Sequence, residues 1–374
     1  MLRRSHKKSR GGCVQCKRRH VKCDERRPVC VLCTMSNRDC SYTTEAKASP
    51  QKSSPRLSSQ TEIPSPHEPI DEDLNLKHME LLIHLTTTNE MFNLGDDLGP
   101  YRTGIRFGLK RGLESPYLLY ACLAFSARHL AYLHPERSAE FMHQAVTMQT
   151  RAITLFNIDE IQVDQSNCVA VLLFSAVVGH HLLADTLMER SPDGLDGFLT
   201  RYVQCANTHR GLYTITITAQ PLLMETELEP VLSRSMNFTS KVPEGGHCDQ
   251  IRSLVAHSNG LTHGEKEACQ QALRYIQLGL DALSYPPENQ NMRFQMLFLW
   301  TVLVPSEFIA LLETKRLEAL AILAYYALLL HHGRHMWQVG GSGEYILGLI
   351  ERYLGPNRGD WLDYPHRGII GCFQ

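Results

Sequence analysis

Six cysteines between residues 13 and 40 constrain this chain more than any other feature. Their spacing is Cys13-x2-Cys16-x6-Cys23-x6-Cys30-x2-Cys33-x6-Cys40, one C-x2-C-x6-C unit used twice. A segment of about 30 residues cannot bury an adequate apolar core, so covalent or metal bonds must hold it. The N-terminus MLRRSHKKSRGG lacks the apolar segment of a secretory signal, so a reducing compartment and free thiolates are expected rather than disulfides. The remaining cysteines (Cys122, Cys168, Cys205, Cys248, Cys269 and Cys372) are scattered without pairing motifs.

A C-x2-C turn brings two thiolates close together, and zinc takes four ligands in a tetrahedron. Two ions need eight coordination positions, which six sulfurs fill only if two of them bridge both metals. The near two-fold symmetry of the spacing makes Cys13 and Cys30, the first cysteine of each half, the natural bridging pair. The expectation is therefore two Zn2+ per chain on Cys13, Cys16, Cys23, Cys30, Cys33 and Cys40. A protein-binding zinc module and a metal store are the other uses of such a cluster.

Charge separates the two halves. The net charge of −1 conceals a head, residues 1–44, with 12 Lys and Arg against Asp24, Glu25 and Asp39, a balance of +9. The remainder then sums to −10. A basic head on an acidic body suits a polyanion, because Lys and Arg release counterions condensed on phosphates. Lys17, Arg18, Arg19, His20 and Lys22 lie between Cys16 and Cys23, whereas Thr34 to Asp39 between Cys33 and Cys40 are neutral in sum. Only the first half can face phosphates, and the second is suited to support it. Pro28 is expected to set the turn between them.

The pattern resembles the fungal binuclear zinc cluster transcription factors, the Zn₂Cys₆ family, across the whole of Cys13–Cys40, including CKRRHVKCDE and the loop proline. The resemblance implies a short helix in the major groove of double-stranded DNA, reading a CG-containing element. Carried over by position, Arg19 and His20 read bases, and Lys17, Arg18 and Lys22 hold phosphates. His20 stands where the family most often has lysine; its reach is shorter, which departs from a plain CGG preference. RRSHKKSR and KRRH also suit nuclear import, so a nuclear location is expected.

Composition divides the chain into a basic arm at 1–12, the cluster at 13–42, a Ser/Pro/Thr-rich flexible linker at 43–70 and a helical regulatory domain at 71–374. The expected fold is mainly α. Ser115-Pro116 starts a helix through YLLYACLAFSARHLAYL, and Pro135-Glu136 starts another in which Phe141, Ala145, Met148, Ala152 and Phe156 share a face. Further helices are expected at 72–92, 165–189, 196–215, 265–284, 291–313, 315–336 and 342–354, with loop at 236–262. The segments 168–178 and 319–330 are apolar nearly all round and should be central. Apolar runs such as 319–330 fall short of the ~18–20 residues of a spanning helix, so no membrane span is expected.

ELLIHLTTTNEMF at 80–92 and SPYLLYACLAFSARHLAYLHPE at 115–136 resemble the regulatory domain of the sterol uptake control regulators of yeasts, and CKRRHVKCDE resembles that subgroup's cluster. This resemblance implies an apolar pocket for a sterol, although similar domains occur in regulators of secondary-metabolite gene clusters. Phe125, Phe174, Trp300, Tyr325 and Tyr326 read as packing residues, and Cys168 and Cys205 as small apolar ones. His180-His181 and His331-His332-His335 lack the carboxylate or cysteine pattern of a metal site and read as solvent-facing or satisfied histidines. Asp71-Glu72-Asp73-Leu74 suits a helix N-terminus, with a contact to the transcription machinery as a second use.

The function expected is a zinc-dependent, sequence-specific RNA polymerase II transcription factor controlling a metabolic pathway, either sterol uptake and biosynthesis or a secondary-metabolite gene cluster. An enzyme tethered to chromatin is the alternative, but 71–374 holds no phosphate-binding glycine loop, no H-E-x-x-H and no serine-nucleophile elbow. An adaptor that binds protein through the cluster is another. Residues 43–70 carry no apolar heptads, so either a homodimer forms through the helical body or the protein binds as a monomer.

Overall fold

A computed structural model describes residues 11–19, 21–36, 39–42, 75–88, 91, 108–158, 162–285 and 293–371. The chain divides into two compact units, Met1–Glu72 and Asp73–Gln374. The described residues form helices and turns and no strand, as a mainly α chain requires. His20, all of 43–74 and Cys372 lie outside the described residues, and with them the linker and the Asp71–Leu74 acidic stretch.

In the first unit two five-residue helices, Val14–Arg18 and Val31–Met35, each start immediately after the first cysteine of a C-x2-C pair. Cys13 and Cys30 occupy the N-cap positions with extended backbone, so each thiol sits beside the first turn of its helix. Helices this short do not persist alone, because nucleation fixes several residues for one hydrogen bond. Their stability must come from the cysteines.

In the second unit the most apolar helices lie centrally. Leu317–His332 is buried along almost its whole length, and Cys168–Met188 buries 14 residues from Cys168 to Leu187. Contrary to the sequence expectation, Cys168–Met188 is long and apolar enough to cross a membrane by length and composition, yet 67% of its most apolar window is covered by neighbouring helices. Pro116–Leu133 starts with proline in its first turn as expected, although Ser115 makes no side-chain capping bond. Ser138–Ile158 buries Phe141, Ala145, Met148 and Ala152 on one face, with Phe156 half-buried.

Around Trp300 the largest side chains interlock. Its indole stacks on Tyr326 with centroids 4.1 Å apart and donates to the Ala272 carbonyl at 3.0 Å. Tyr326 donates its hydroxyl to the Leu297 carbonyl at 2.5 Å. Each polar tip therefore keeps a partner while the ring is buried. Phe125, Phe174, Tyr325, Cys168 and Cys205 are likewise buried packing residues.

Two expectations on helix bounds need correction. The helix expected at 291–313 is two helices, Gln295–Leu303 and Ser306–Glu313, bent by 88°. Pro305 causes the break: it offers no N–H, and it pushes Val304 into extended backbone at φ −64° and ψ 139°. The stretch 236–262, read as loop, contains the end of Glu229–Ser240 and all of Asp249–His257. That second helix buries only Ile251 and Val255, too short a pattern to stand out along the chain. Tertiary partners hold its approach: Gln277 accepts the Cys248 N–H at 2.7 Å, and Asp281 accepts those of Glu244 and Gly245 at 2.9 and 3.2 Å.

Of the histidines expected to face solvent or be satisfied, His332 and His335 are exposed as expected, whereas His180 and His331 depart from it. His181 and His331 are each 2% exposed, and His180 Nδ1 and His331 Nε2 are buried without a partner among the described residues. Burial holds both His180 and His331 below the usual imidazole range, His180 at about 4, so they are neutral at physiological pH. No metal-ligating group of three includes them among the described residues.

Candidate metal centre and nucleic-acid interface

The six cysteines converge. The sulfurs of Cys13, Cys16, Cys23 and Cys30 lie within 4.8 Å of one another, and so do those of Cys13, Cys30, Cys33 and Cys40. The two sets share Cys13 and Cys30. The Cys13–Cys30, Cys13–Cys33 and Cys16–Cys30 sulfurs are each 3.7 Å apart. A disulfide needs about 2.05 Å, whereas a Zn–S bond of ~2.3 Å sets the edge of a ZnS₄ tetrahedron at roughly 3.8 Å. The spacing therefore fits a metal between the sulfurs and excludes disulfide bonds among those pairs.

The backbone repeats the two-fold pattern. The Cys13 N–H donates to Cys23 Sγ at 3.5 Å, and seventeen residues later the Cys30 N–H donates to Cys40 Sγ at 3.4 Å. Such donors favour thiolates. Burial works against the charged form of Cys13, Cys16, Cys23, Cys30 and Cys33. Against burial, the Cys16 amide and neighbouring thiol donors bring Cys13 down to about 6, while burial and hydrogen bonding with Cys13 push Cys16 up to about 12. Sulfurs this close cannot all ionise unless a cation lies between them, which is the chemistry of a soft divalent ion.

Charge on the outside is divided between the halves as the sequence suggested. Lys17 and Arg18 end the first helix, Arg19 caps it, and Lys22 follows outside any helix. All four are exposed, and none makes an ion pair among the described residues. The second helix instead exposes Val31, Leu32 and Met35, the last at 81%.

Three further contacts were not read from the sequence. Asp24 accepts the Val31 N–H at 3.0 Å and so caps the second helix from the end of the first half. Glu25, at φ +57°, donates its N–H to Cys23 Sγ at 3.4 Å and accepts from the Gly11 N–H at 3.1 Å. Tyr42 lies under the Arg27 guanidinium, 4.7 Å from the ring centre, and donates to the Arg26 carbonyl at 2.7 Å. The Asp-Glu pair directly after Cys23 was the available signal for the first two. Pro28 follows a cis peptide bond in the turn between halves.

A small unit held by shared sulfurs, with an exposed basic helix and no core of its own, defines the class of zinc-cluster DNA-binding modules. The chain matches the fungal Zn(2)-Cys(6) binuclear cluster domain over residues 11–49. It is 27% identical over 341 residues to the Zn(2)-C6 fungal-type transcription factor afumD of Aspergillus fumigatus, covering 85% of this chain and 84% of that protein. A Zn(2)-C6 fungal-type transcription factor of Gibberella zeae is 22% identical over 417 residues, covering 94% of this chain and 83% of that one. Sterol uptake control protein 2 of Candida albicans is 58% identical, but over 43 residues, 12% of this chain and 6% of that protein. That likeness has the length of a cluster domain, not of the helical body.

The matched domain binds zinc through its cysteine cluster, and the two relatives that cover most of the chain are both named as transcription factors. Fungal Zn(2)-Cys(6) transcription factors are generally nuclear.

Proposed function

We propose that this chain holds two Zn2+ on Cys13, Cys16, Cys23, Cys30, Cys33 and Cys40, with Cys13 and Cys30 shared, and acts in the nucleus on a CG-containing element. The observation that carries this reading is the pair of four-sulfur sets with two members in common, beside an exposed basic helix end. When bound, the metal supplies the folding energy that a segment of this size lacks. The Cys13 and Cys30 N-caps then orient the helices, and burial of the sulfurs keeps water from them. Arg19 and His20 face base edges; Lys17, Arg18 and Lys22 neutralise phosphates and set the register.

The helical body regulates this activity through a small ligand or a partner, including the transcription machinery or a second copy. The regulated pathway is metabolic. Sterol uptake or biosynthesis is supported by the name of the short-match relative, and a secondary-metabolite gene cluster is the other reading. The domain limits are 13–42 for the cluster, 43–70 for the linker and 71–374 for the body.

Selection of binding sites from random duplex DNA by the full-length chain tests the reading. Enrichment of a CG-containing element, lost on chelation and restored by about two equivalents of zinc, is the expected result. Enrichment that survives complete removal of zinc overturns it, as does the absence of any enriched sequence from zinc-loaded protein.

A further inference from the structure

The loop that joins the two halves of the cluster, Asp24-Glu25-Arg26-Arg27-Pro28-Val29, is neutral in sum, but its charges do not meet. The Asp24 carboxylate accepts the Val31 N–H at 3.0 Å, and the Glu25 carboxylate accepts the Gly11 N–H at 3.1 Å. Both acids therefore serve backbone amides. Among the described residues neither makes an ion pair, and neither does Arg26 or Arg27. Both arginines are exposed, so the loop presents two positive charges without a carboxylate against them.

Arg27 is also held in place. Its guanidinium lies over the Tyr42 ring, 4.7 Å from the centre. The Tyr42 hydroxyl donates to the Arg26 carbonyl at 2.7 Å and lies 3.8 Å from Cys23 Sγ. Directly before it, the Ser41 carbonyl accepts the Val14 N–H at 2.8 Å. The ring is thus tied to the loop, to the cluster and to the start of the first helix. An aromatic face attracts a cation without neutralising it. It also limits the rotamers of a long side chain, so less entropy is lost when a partner binds.

Position decides what that partner is. Cys23 directly follows Lys22, so the Arg27–Tyr42 pair adjoins the end of the basic run that begins at Lys17. An exposed, pre-ordered guanidinium at that place suits a phosphate oxygen. We propose that Arg27 is a further phosphate contact of the DNA interface and that Tyr42 is its positioning residue. The interface then extends past Cys23 into the loop between the halves. This inference rests on the DNA-binding reading of the cluster.

The test uses the zinc-loaded full-length chain and a labelled duplex carrying the selected element. Arg27→Gln should lower the slope of log K against log salt by about 0.9 per copy of the module. At about 100 mM salt, keeping that many counterions on the DNA weakens binding about eightfold. The loss should be the same on an unrelated duplex, as for any contact to phosphate. Arg26→Gln removes a cation that no ring holds among the described residues, and should lower the slope by less than about half as much.

Tyr42→Leu should weaken wild-type binding about threefold and add nothing on top of Arg27→Gln, whereas Tyr42→Phe keeps the ring and most of the affinity. A tyrosine that only supported the fold would cost as much in both backgrounds. Zinc content establishes that each variant retains its cluster. Should Tyr42→Leu lose zinc, the side-chain signals of Arg27 in wild-type protein with labelled arginine decide the point. Upfield displacement by the ring is expected, and the values of a free arginine overturn the positioning. An unchanged slope in Arg27→Gln, a loss confined to the selected element, an equal drop in Arg26→Gln, or Tyr42 losses alike in both backgrounds each overturn the proposal. Wild-type binding on the same samples separates these outcomes from failure of the DNA-binding reading, which would remove both.

Discussion

Replacing Lys22 by glutamine removes one exposed cation without touching a cysteine or any hydrogen bond of the cluster. Lys17, Arg18 and Lys22 are exposed and make no ion pair among the described residues, so each is placed to displace a counterion from a phosphate. Duplex DNA gives a slope of log K against log salt of about −0.9 per phosphate contact, so three contacts give about −2.7 per copy of the module. A fourfold rise in salt, from 50 to 200 mM, then weakens binding about 40-fold. With Lys22→Gln the slope becomes about −1.8 and the loss about 12-fold. A dimer doubles both slopes, so the full-length value also counts the copies on the DNA. Any contribution of the basic arm is common to wild type and variant, and the difference of about 0.9 per copy is the quantity to read. Fluorescence anisotropy with a labelled duplex carrying the selected element provides it. An unchanged slope in Lys22→Gln would remove Lys22 from the phosphate contacts, and a flat wild-type response would sink the electrostatic argument altogether.

Within the body, Gly179→Ala places a Cβ 2.3 Å from His209 Nε2, and His209 is itself buried. The overpacking should cost about 1–3 kcal/mol in urea denaturation. Gly264→Ala, whose Cβ meets open space in the first turn of His263–Ala282, should instead be neutral or stabilising; equal losses in both would contradict the packing. Arg137 donates to both Glu80 oxygens at 2.7 and 3.1 Å, and these bonds hold the Glu80 carboxyl below its ordinary value. Because the folded pKa lies below the unfolded one of about 4.3, the pair stabilises above that pH, and the contribution is lost as pH falls through the folded value. Glu80→Gln should therefore show a shallower drop in denaturation midpoint between about pH 5 and 3; parallel curves for the two proteins would show that the pair contributes nothing.

The cluster was legible because metal ligation depends on residue type and short spacing. Six sulfurs in two equal units allow few arrangements, and the geometry brings Cys13 and Cys30 into both four-sulfur sets. The central helices at 168–178 and 319–330 were legible for a related reason, since a segment apolar all round has only the interior to occupy. Pro305 was also visible in the sequence, yet the break was missed because apolar periodicity continues on both sides of it.

By itself, the order of residues determined which thiols could meet, which end of the first short helix is basic, and that the rest of the chain is helical. These properties are set within a few residues, where backbone geometry and charge act locally. Only the tertiary structure decided that Asp249–His257 is a helix, that Asp24 caps the second cluster helix, that His181 and His331 are buried and that Arg128 is buried beside Asp185. Each of these depends on groups brought close across the chain, such as Asp185, 57 residues from Arg128. Burial and polar satisfaction belong to the assembled packing, and no window along the sequence contains both sides of such a contact.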